Sequence, residues 1–182
     1  MFKKVTGFRF YTANICLNHC DITNSYFKNG FVYMNVKEKL YGFHKFENSK
    51  FENNTSESGT FLNISYFPIE GGTKVINVSN STFINNTASK FGGVYYILGE
   101  TSYLRMFFDE CSYDNNHAQF GNVIYGDSND TLPIVGSLSS NDISTIPAYF
   151  ERYGNETERI SILSGEIIPK GIMCKWSNLN HI

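Results

Sequence analysis

The side chains able to act as acids, bases, nucleophiles or metal ligands are few and scattered. Asp109, Glu110 and Asp114 lie close together, with Asp127 and Asp130 one turn further on. Paired carboxylates flanking a scissile bond would suit glycoside hydrolysis. No such pair recurs at a fixed strand position, so Asp109 and Glu110 read as a solvated turn. His19, His44, His117 and His181 sit in unrelated contexts, and no Gly-x-Ser-x-Gly turn accompanies them. Cys16 and Cys20 are separated by three residues, while Cys111 and Cys174 stand far apart, without the Cys-x-x-Cys spacing of a zinc site. An oxidising compartment would allow a Cys16–Cys20 bridge, with Cys111 or Cys174 free and buried. The expectation is a chain that is not an enzyme and holds neither metal nor cofactor.

The segments that carry these residues repeat. Ser49 begins SKFENNTSESGTFLNI, Ser81 begins STFINNTASKFGGVYYI and Cys111 begins CSYDNNHAQFGNVIYG; a fainter copy, SYFKNGFVYM, begins at Ser25. Anchored on Phe27, Phe51, Phe83 and Tyr113, the copies are 24, 32 and 30 residues apart, a period typical of stacked supersecondary units. Between Phe43 and Tyr125 no stretch has the three-and-four spacing of an amphipathic helix. Short runs of Phe, Tyr, Ile and Val alternate instead with Asn, Ser, Thr and Gly clusters. Asn and Gly suit such turns because both tolerate left-handed backbone. The fold class expected is all-β: a right-handed, single-stranded parallel β-helix, or solenoid, of about four coils with an irregular or β C-terminal segment. Residues 1–20 are expected as an N-terminal edge or cap, 21–132 as the repeats, and 133–182 as an extended or β segment packing on the helix or leaving it. Pro133 and Pro147 mark that departure.

The F-x-N-N-x-A-x-x-x-G-G-x-x-Y pattern from Phe83 to Tyr96 resembles the β-helix repeats of bacterial polymorphic outer-membrane proteins. It resembles even more the Asn- and Tyr-rich repeats in the scaffoldins of anaerobic gut fungi. The likeness covers roughly residues 20–130, and only the copy at Phe83 keeps the double glycine. It implies a cohesin-like module that receives the docking domains of secreted plant-cell-wall-degrading enzymes in a cellulosome. A carbohydrate-binding or polysaccharide-degrading β-helix and a cell-surface adhesin stalk are the alternatives. The Asn-Thr-Asp, Asp-Asp, Gly-His-Gly and Arg-Ile-Lys blocks of polygalacturonases are missing.

Composition points outside the cell. Asn-x-Ser/Thr triplets begin at Asn53, Asn54, Asn63, Asn77, Asn80, Asn85, Asn129 and Asn155, all candidates for glycosylation on a secreted route. Residues 1–16 lack the apolar stretch of a signal peptide, so the chain is expected to be a segment of a larger secreted or cell-surface protein, with Met1 supplied for expression. The 15 basic and 17 acidic residues leave a formal net charge of −2 with no long run of one sign, which argues against a nucleic-acid footprint. No apolar run suits membrane insertion.

Strand phase converts the repeat into a surface. Phe61-Leu62-Asn63-Ile64 aligns with Val94-Tyr95-Tyr96-Ile97 and Val123-Ile124-Tyr125-Gly126, giving two alternating columns. Asn63 is a poor core residue, so its column, with Tyr96 and Tyr125, is expected outside, and Leu62, Tyr95, Ile124, Ile64 and Ile97 inside. By the same alternation Phe61, Val94 and Val123 share the outer face. An apolar face of this kind marks a protein-binding surface. Phe61, Val94, Tyr96, Val123 and Tyr125 are therefore the expected partner contacts, with Glu100 and Asp127 tuning the association rate.

Overall fold

The computed structural model describes residues 14–35, 43–66, 76–98, 105–127, 132–136 and 138–145, and the backbone of residues 8–9, 149–152, 159–161 and 174–176. The chain divides into two compact units, Met1–Ser144 and Thr145–Ile182. No helix occurs among the described residues.

In the first unit a short strand, β1 (Phe8–Arg9), precedes four similar passes of the chain. The first pass runs β2 (Ile15–Asn18), β3 (Asp21–Thr23), β4 (Tyr26–Phe27) and β5 (Val32–Asn35). The second runs β6 (His44–Glu47), β7 (Lys50–Glu52), β8 (Thr55–Ser58) and β9 (Leu62–Tyr66). The third runs β10 (Ile76–Ser79), β11 (Thr82–Ile84), β12 (Thr87–Phe91) and β13 (Tyr95–Ile97). The fourth has β14 (Met106–Asp109), β15 (Ser112–Asp114), single bridges at His117 and Phe120, and β16 (Ile124–Gly126). Each strand pairs in parallel with the strand holding the same place in the next pass. The result is four parallel sheets, ordered β14-β10-β6-β2, β15-β11-β7-β3, β12-β8-β4 and β1-β5-β9-β13-β16-β17, the last strand being β17 (Ile143–Thr145).

The Asn-Asn pairs divide their labour at the corner between the second and third strands. Asn24, Asn53, Asn85 and Asn115 all hold φ between 52° and 54°, the left-handed region that Asn tolerates better than most residues. The residue after each turns inward. Where the backbone bends, carbonyl and amide lose their sheet partners, and the carboxamide of the second Asn replaces them. The N–H groups of Ser25, Asn54 and Asn86 donate to Oδ1 of Asn54, Asn86 and Asn116 in the next pass, at 3.1, 3.1 and 3.0 Å. The Nδ2 groups of Asn54, Asn86 and Asn116 donate back to the carbonyls of Ile22, Phe51 and Phe83, at 2.8, 2.9 and 2.8 Å. All three asparagines are buried. A smaller ladder serves the preceding corner: the N–H groups of Cys20 and Ser49 donate to the Oγ atoms of Ser49 and Ser81, both at 3.2 Å.

Inward side chains stack in columns because the registers match. Ile22, Phe51, Phe83 and Tyr113 face one another across β3, β7, β11 and β15. The rings of Phe51 and Phe83 lie 5.1 Å apart and those of Phe83 and Tyr113 5.4 Å apart, each pair nearly parallel. Tyr95 completes the core with its hydroxyl 3.0 Å from that of Tyr113, so both buried phenols are satisfied. Burial pushes both hydroxyls well above the usual tyrosine range. Beyond the fourth pass, Leu132, Val135 and Leu138 pack against the same core. Leu132 fills the space that a side chain at Gly126 would take.

Three expectations change. The first copy is anchored by Ile22, which pairs with Phe51, whereas Phe27 pairs with Ser56; the spacings are therefore 29, 32 and 30. The first pass begins at Ile15, upstream of the expected boundary at residue 21. Cys16 and Cys20 are free: Cys16 lies on the outer face of β2 and Cys20 beyond the His19 corner.

In the second unit β18 (Tyr149–Arg152) lies between β19 (Arg159–Ser161) and β20 (Cys174–Trp176), antiparallel to both.

Candidate functional site

The aligned columns of the six-stranded sheet hold the registers expected of them. Leu62, Tyr95 and Ile124 face one another, as do Asn63, Tyr96 and Tyr125, and Tyr33 joins the second column beside Asn63. Leu62, Tyr95, Ile124, Ile64 and Ile97 are buried in the core, and the Asn63 column alternates with them on the opposite face. There the Tyr96 and Tyr125 rings stack 5.8 Å apart at an interplanar angle of 6°.

Phe91 and Phe120, at the end of the neighbouring sheet, reach the same place. Phe91 lies 4.6 Å from the Tyr125 ring, 6.1 Å from Tyr96 and 5.8 Å from Phe120. The corner at Gly92 and Gly121 turns one sheet toward the other, with φ of 57° and 68°. At Gly92 an added Cβ would collide with the Tyr95 carbonyl, so only glycine allows the bend. The result is an aromatic patch with Phe91, Tyr96 and Phe120 half-buried. Burial raises the Tyr96 hydroxyl above the usual tyrosine range, and Asp127 and Tyr33 reinforce the shift.

Phe61, Val94 and Val123 are not on this face. Their exposures are 1%, 0% and 2%, and they belong to the core. Alternation fails at this corner because successive amides converge on a single carbonyl. Phe61 and Leu62 both donate to Val94 O, Val94 and Tyr95 both to Val123 O, and Val123 and Ile124 both to Asp142 O. A strand kinked in this way turns two neighbouring side chains inward, as at a bulge. Tyr125 is on the outer column but only 5% exposed, beneath Phe91 and Tyr96, so it supports the patch rather than presenting a surface. Asp127 is half-buried beside the patch, and Glu100 lies outside the described residues. Phe91 and Phe120 escaped the strand alignment. Their signal is the Phe-Gly dipeptide that recurs as Phe91-Gly92 and Phe120-Gly121.

Carboxylates do recur on strand faces, contrary to expectation. Glu47, Ser79 and Asp109 form one column, and Glu52, Ile84 and Asp114 another. Glu47 and Glu52 are engaged by Lys45 and Lys50 of their own strands at 2.6 and 2.8 Å. Within each column the two carboxylates are separated by an intervening strand, and Asp109 and Glu110 are exposed. Asp130 lies outside the described residues. Among the described residues no group of three or more His, Cys, Asp or Glu side chains could hold a metal ion. His44 faces inward in line with Ile15, Ile76 and Met106, and burial lowers its pKa. His117 is exposed on the third sheet, opposite Thr87. Burial raises the Cys111 thiol.

The glycosylation triplets separate by environment. Asn53, Asn80 and Asn85 are exposed at corners with positive φ, and Asn77 is half-buried mid-strand. Asn54 and Asn63 are 1% and 8% exposed. Asn129 and Asn155 lie outside the described residues.

No protein-family model matches the chain, and no curated protein and no solved structure matches it.

Proposed function

We propose that the first unit is a right-handed, single-stranded parallel β-helix of about four coils and that it acts as a non-catalytic, extracellular protein-binding or scaffolding module. The four-fold recurrence of strands, corners and inward columns supports the architecture. The observation that carries the function is the outer patch of Phe91, Tyr96 and Phe120, backed by Tyr125. Aromatic side chains with part of their surface open to solvent are efficient anchors for a protein partner, since they bury much area with few rotatable bonds.

By the resemblance of the Phe83–Tyr96 segment to fungal scaffoldin repeats, the partner is a docking domain on a secreted plant-cell-wall-degrading enzyme. The test is a pull-down from the source organism's secretome with the wild-type chain and with Phe91→Ala/Tyr96→Ala. Retention of docking-domain enzymes by the wild type, weakened by about 1 to 4 kcal/mol per anchor in the variants, is the expected result. Polysaccharide retention in place of protein would favour a carbohydrate-binding module, and retention of neither would favour a stalk.

A further inference from the structure

We propose that Asn53, Asn80 and Asn85 are N-glycan acceptors in the folded protein and that the fold itself bars Asn54 and Asn63, although all five begin Asn-x-Ser/Thr triplets. The repeat places one acceptor and one structural asparagine side by side. At each Asn-Asn-Thr corner the first Asn takes the left-handed conformation and is exposed, with φ of 54° at Asn53 and 52° at Asn85. The Thr two positions on, Thr55 or Thr87, is exposed as well and lines an open groove of about 440 Å³ with Tyr26, Glu57 and Ser89. Asn80 occupies the preceding corner with φ of 45° and is also exposed.

The second Asn of the pair is buried with both ends of its carboxamide engaged, which leaves a sugar no way out to solvent. Asn54 Oδ1 accepts from the Ser25 amide and Nδ2 donates to the Ile22 carbonyl, between two passes of the chain. Asn63 Nδ2 donates to the Ser58 carbonyl at 2.9 Å. In the transfer, Asn Nδ2 bonds to the anomeric carbon of an oligosaccharide carried on a lipid pyrophosphate. The bond from that carbon to the pyrophosphate oxygen breaks, the lipid pyrophosphate leaves, and one amide proton passes to a base of the transferase. The product nitrogen carries a sugar in place of a hydrogen. At Asn54 that sugar would stand between stacked passes and prevent the corner from closing. At the three exposed corners it projects into solvent. Every triplet is open before folding, so the fold acts as the filter: chains modified at Asn54 or Asn63 do not reach the native state.

The inference is independent of the partner reading and requires only passage through a glycosylating secretory route. The chain, fused to a cleavable secretion leader, is expressed in yeast, and the folded monomer recovered from the medium is mapped by glycopeptide mass spectrometry. Glycan is expected at Asn53, Asn80 and Asn85, and none at Asn54 or Asn63. Thr55→Val/Thr82→Val/Thr87→Val removes the three acceptor triplets but leaves the triplet that begins at Asn54 intact, because its third residue is Ser56 and its middle position accepts valine. It should abolish modification at all three corners without moving glycan onto Asn54, and its circular dichroism should match the wild type. Glycan at Asn54 or Asn63 in the folded protein, or three bare corners in the wild type, would overturn the inference.

Discussion

Replacing Asn86 with Ala removes the centre of the buried amide ladder. Asn86 is fully buried, accepts from the Asn54 amide at 3.1 Å and donates to the Phe51 carbonyl at 2.9 Å and to Asn116 Oδ1 at 3.0 Å. The Asn54 N–H loses its acceptor inside the protein, which costs about 1 to 3 kcal/mol, and the two donated bonds contribute about 0.5 to 1.5 kcal/mol each. The variant should therefore be destabilised by about 2 to 6 kcal/mol. Its neighbour Asn85 supplies the control. Asn85 makes the left-handed corner with its side chain exposed. Asn85→Gly keeps that conformation accessible and should change stability by no more than about 0.5 kcal/mol. Urea titrations followed by circular dichroism measure both. An Asn86→Ala cost equal to or below that of Asn85→Gly would refute the division of labour within the Asn-Asn pair.

Phe61→Ala should cost about 3 to 5 kcal/mol in the same titration, because Phe61 is a core residue in ring contact with Phe46, Phe51 and Phe83; a near-neutral result would return it to the surface. Gly92→Ala should destabilise by at least about 1 to 2 kcal/mol through its left-handed φ, with the collision at the Tyr95 carbonyl adding to that, and thermal melting checks it. Stability should fall as the pH drops below 6.5, the ordinary histidine value. Burial lowers the pKa of His44 in the folded state, so the unfolded chain takes up that proton first and stability is full above the unfolded value. His44→Leu should flatten the pH dependence measured by denaturant titration, and an unchanged slope would assign it to other groups.

The repeat and the inward column of Leu62, Tyr95 and Ile124 were legible because both depend on local pattern. The Asn-Asn-x turns mark one corner in three passes, and Asn63 fixes which column faces out, since a carboxamide among Leu, Ile and Val would lack partners. The first pass was misread because Asn24-Ser25 replaces Asn-Asn there, so the Ile22 anchor carried no turn signature. The inward position of Phe61, Val94 and Val123 depends on paired amides sharing a carbonyl in the next pass, a long-range geometry that alternation does not encode. The outer patch was half visible for a related reason. Tyr96 and Tyr125 lie on one aligned strand, but Phe91 and Phe120 arrive from a different sheet around a glycine corner. The Leu132 side chain standing in for the missing one at Gly126 likewise joins residues whose proximity no repeat announces.

Parallel pairing between equivalent strands of successive passes underlies both the fold and the patch, and nuclear Overhauser contacts among aromatic rings test it most directly. With the Phe and Tyr rings isotopically labelled, the Phe51 ring should show contacts to Phe83, and Phe83 to Tyr113, at sequence separations of 32 and 30 residues. Contacts from Tyr96 to both Tyr125 and Phe91 should accompany them. Rings that instead contact only strands adjacent in sequence, as in an antiparallel meander, would contradict the parallel pairing and the patch built on it.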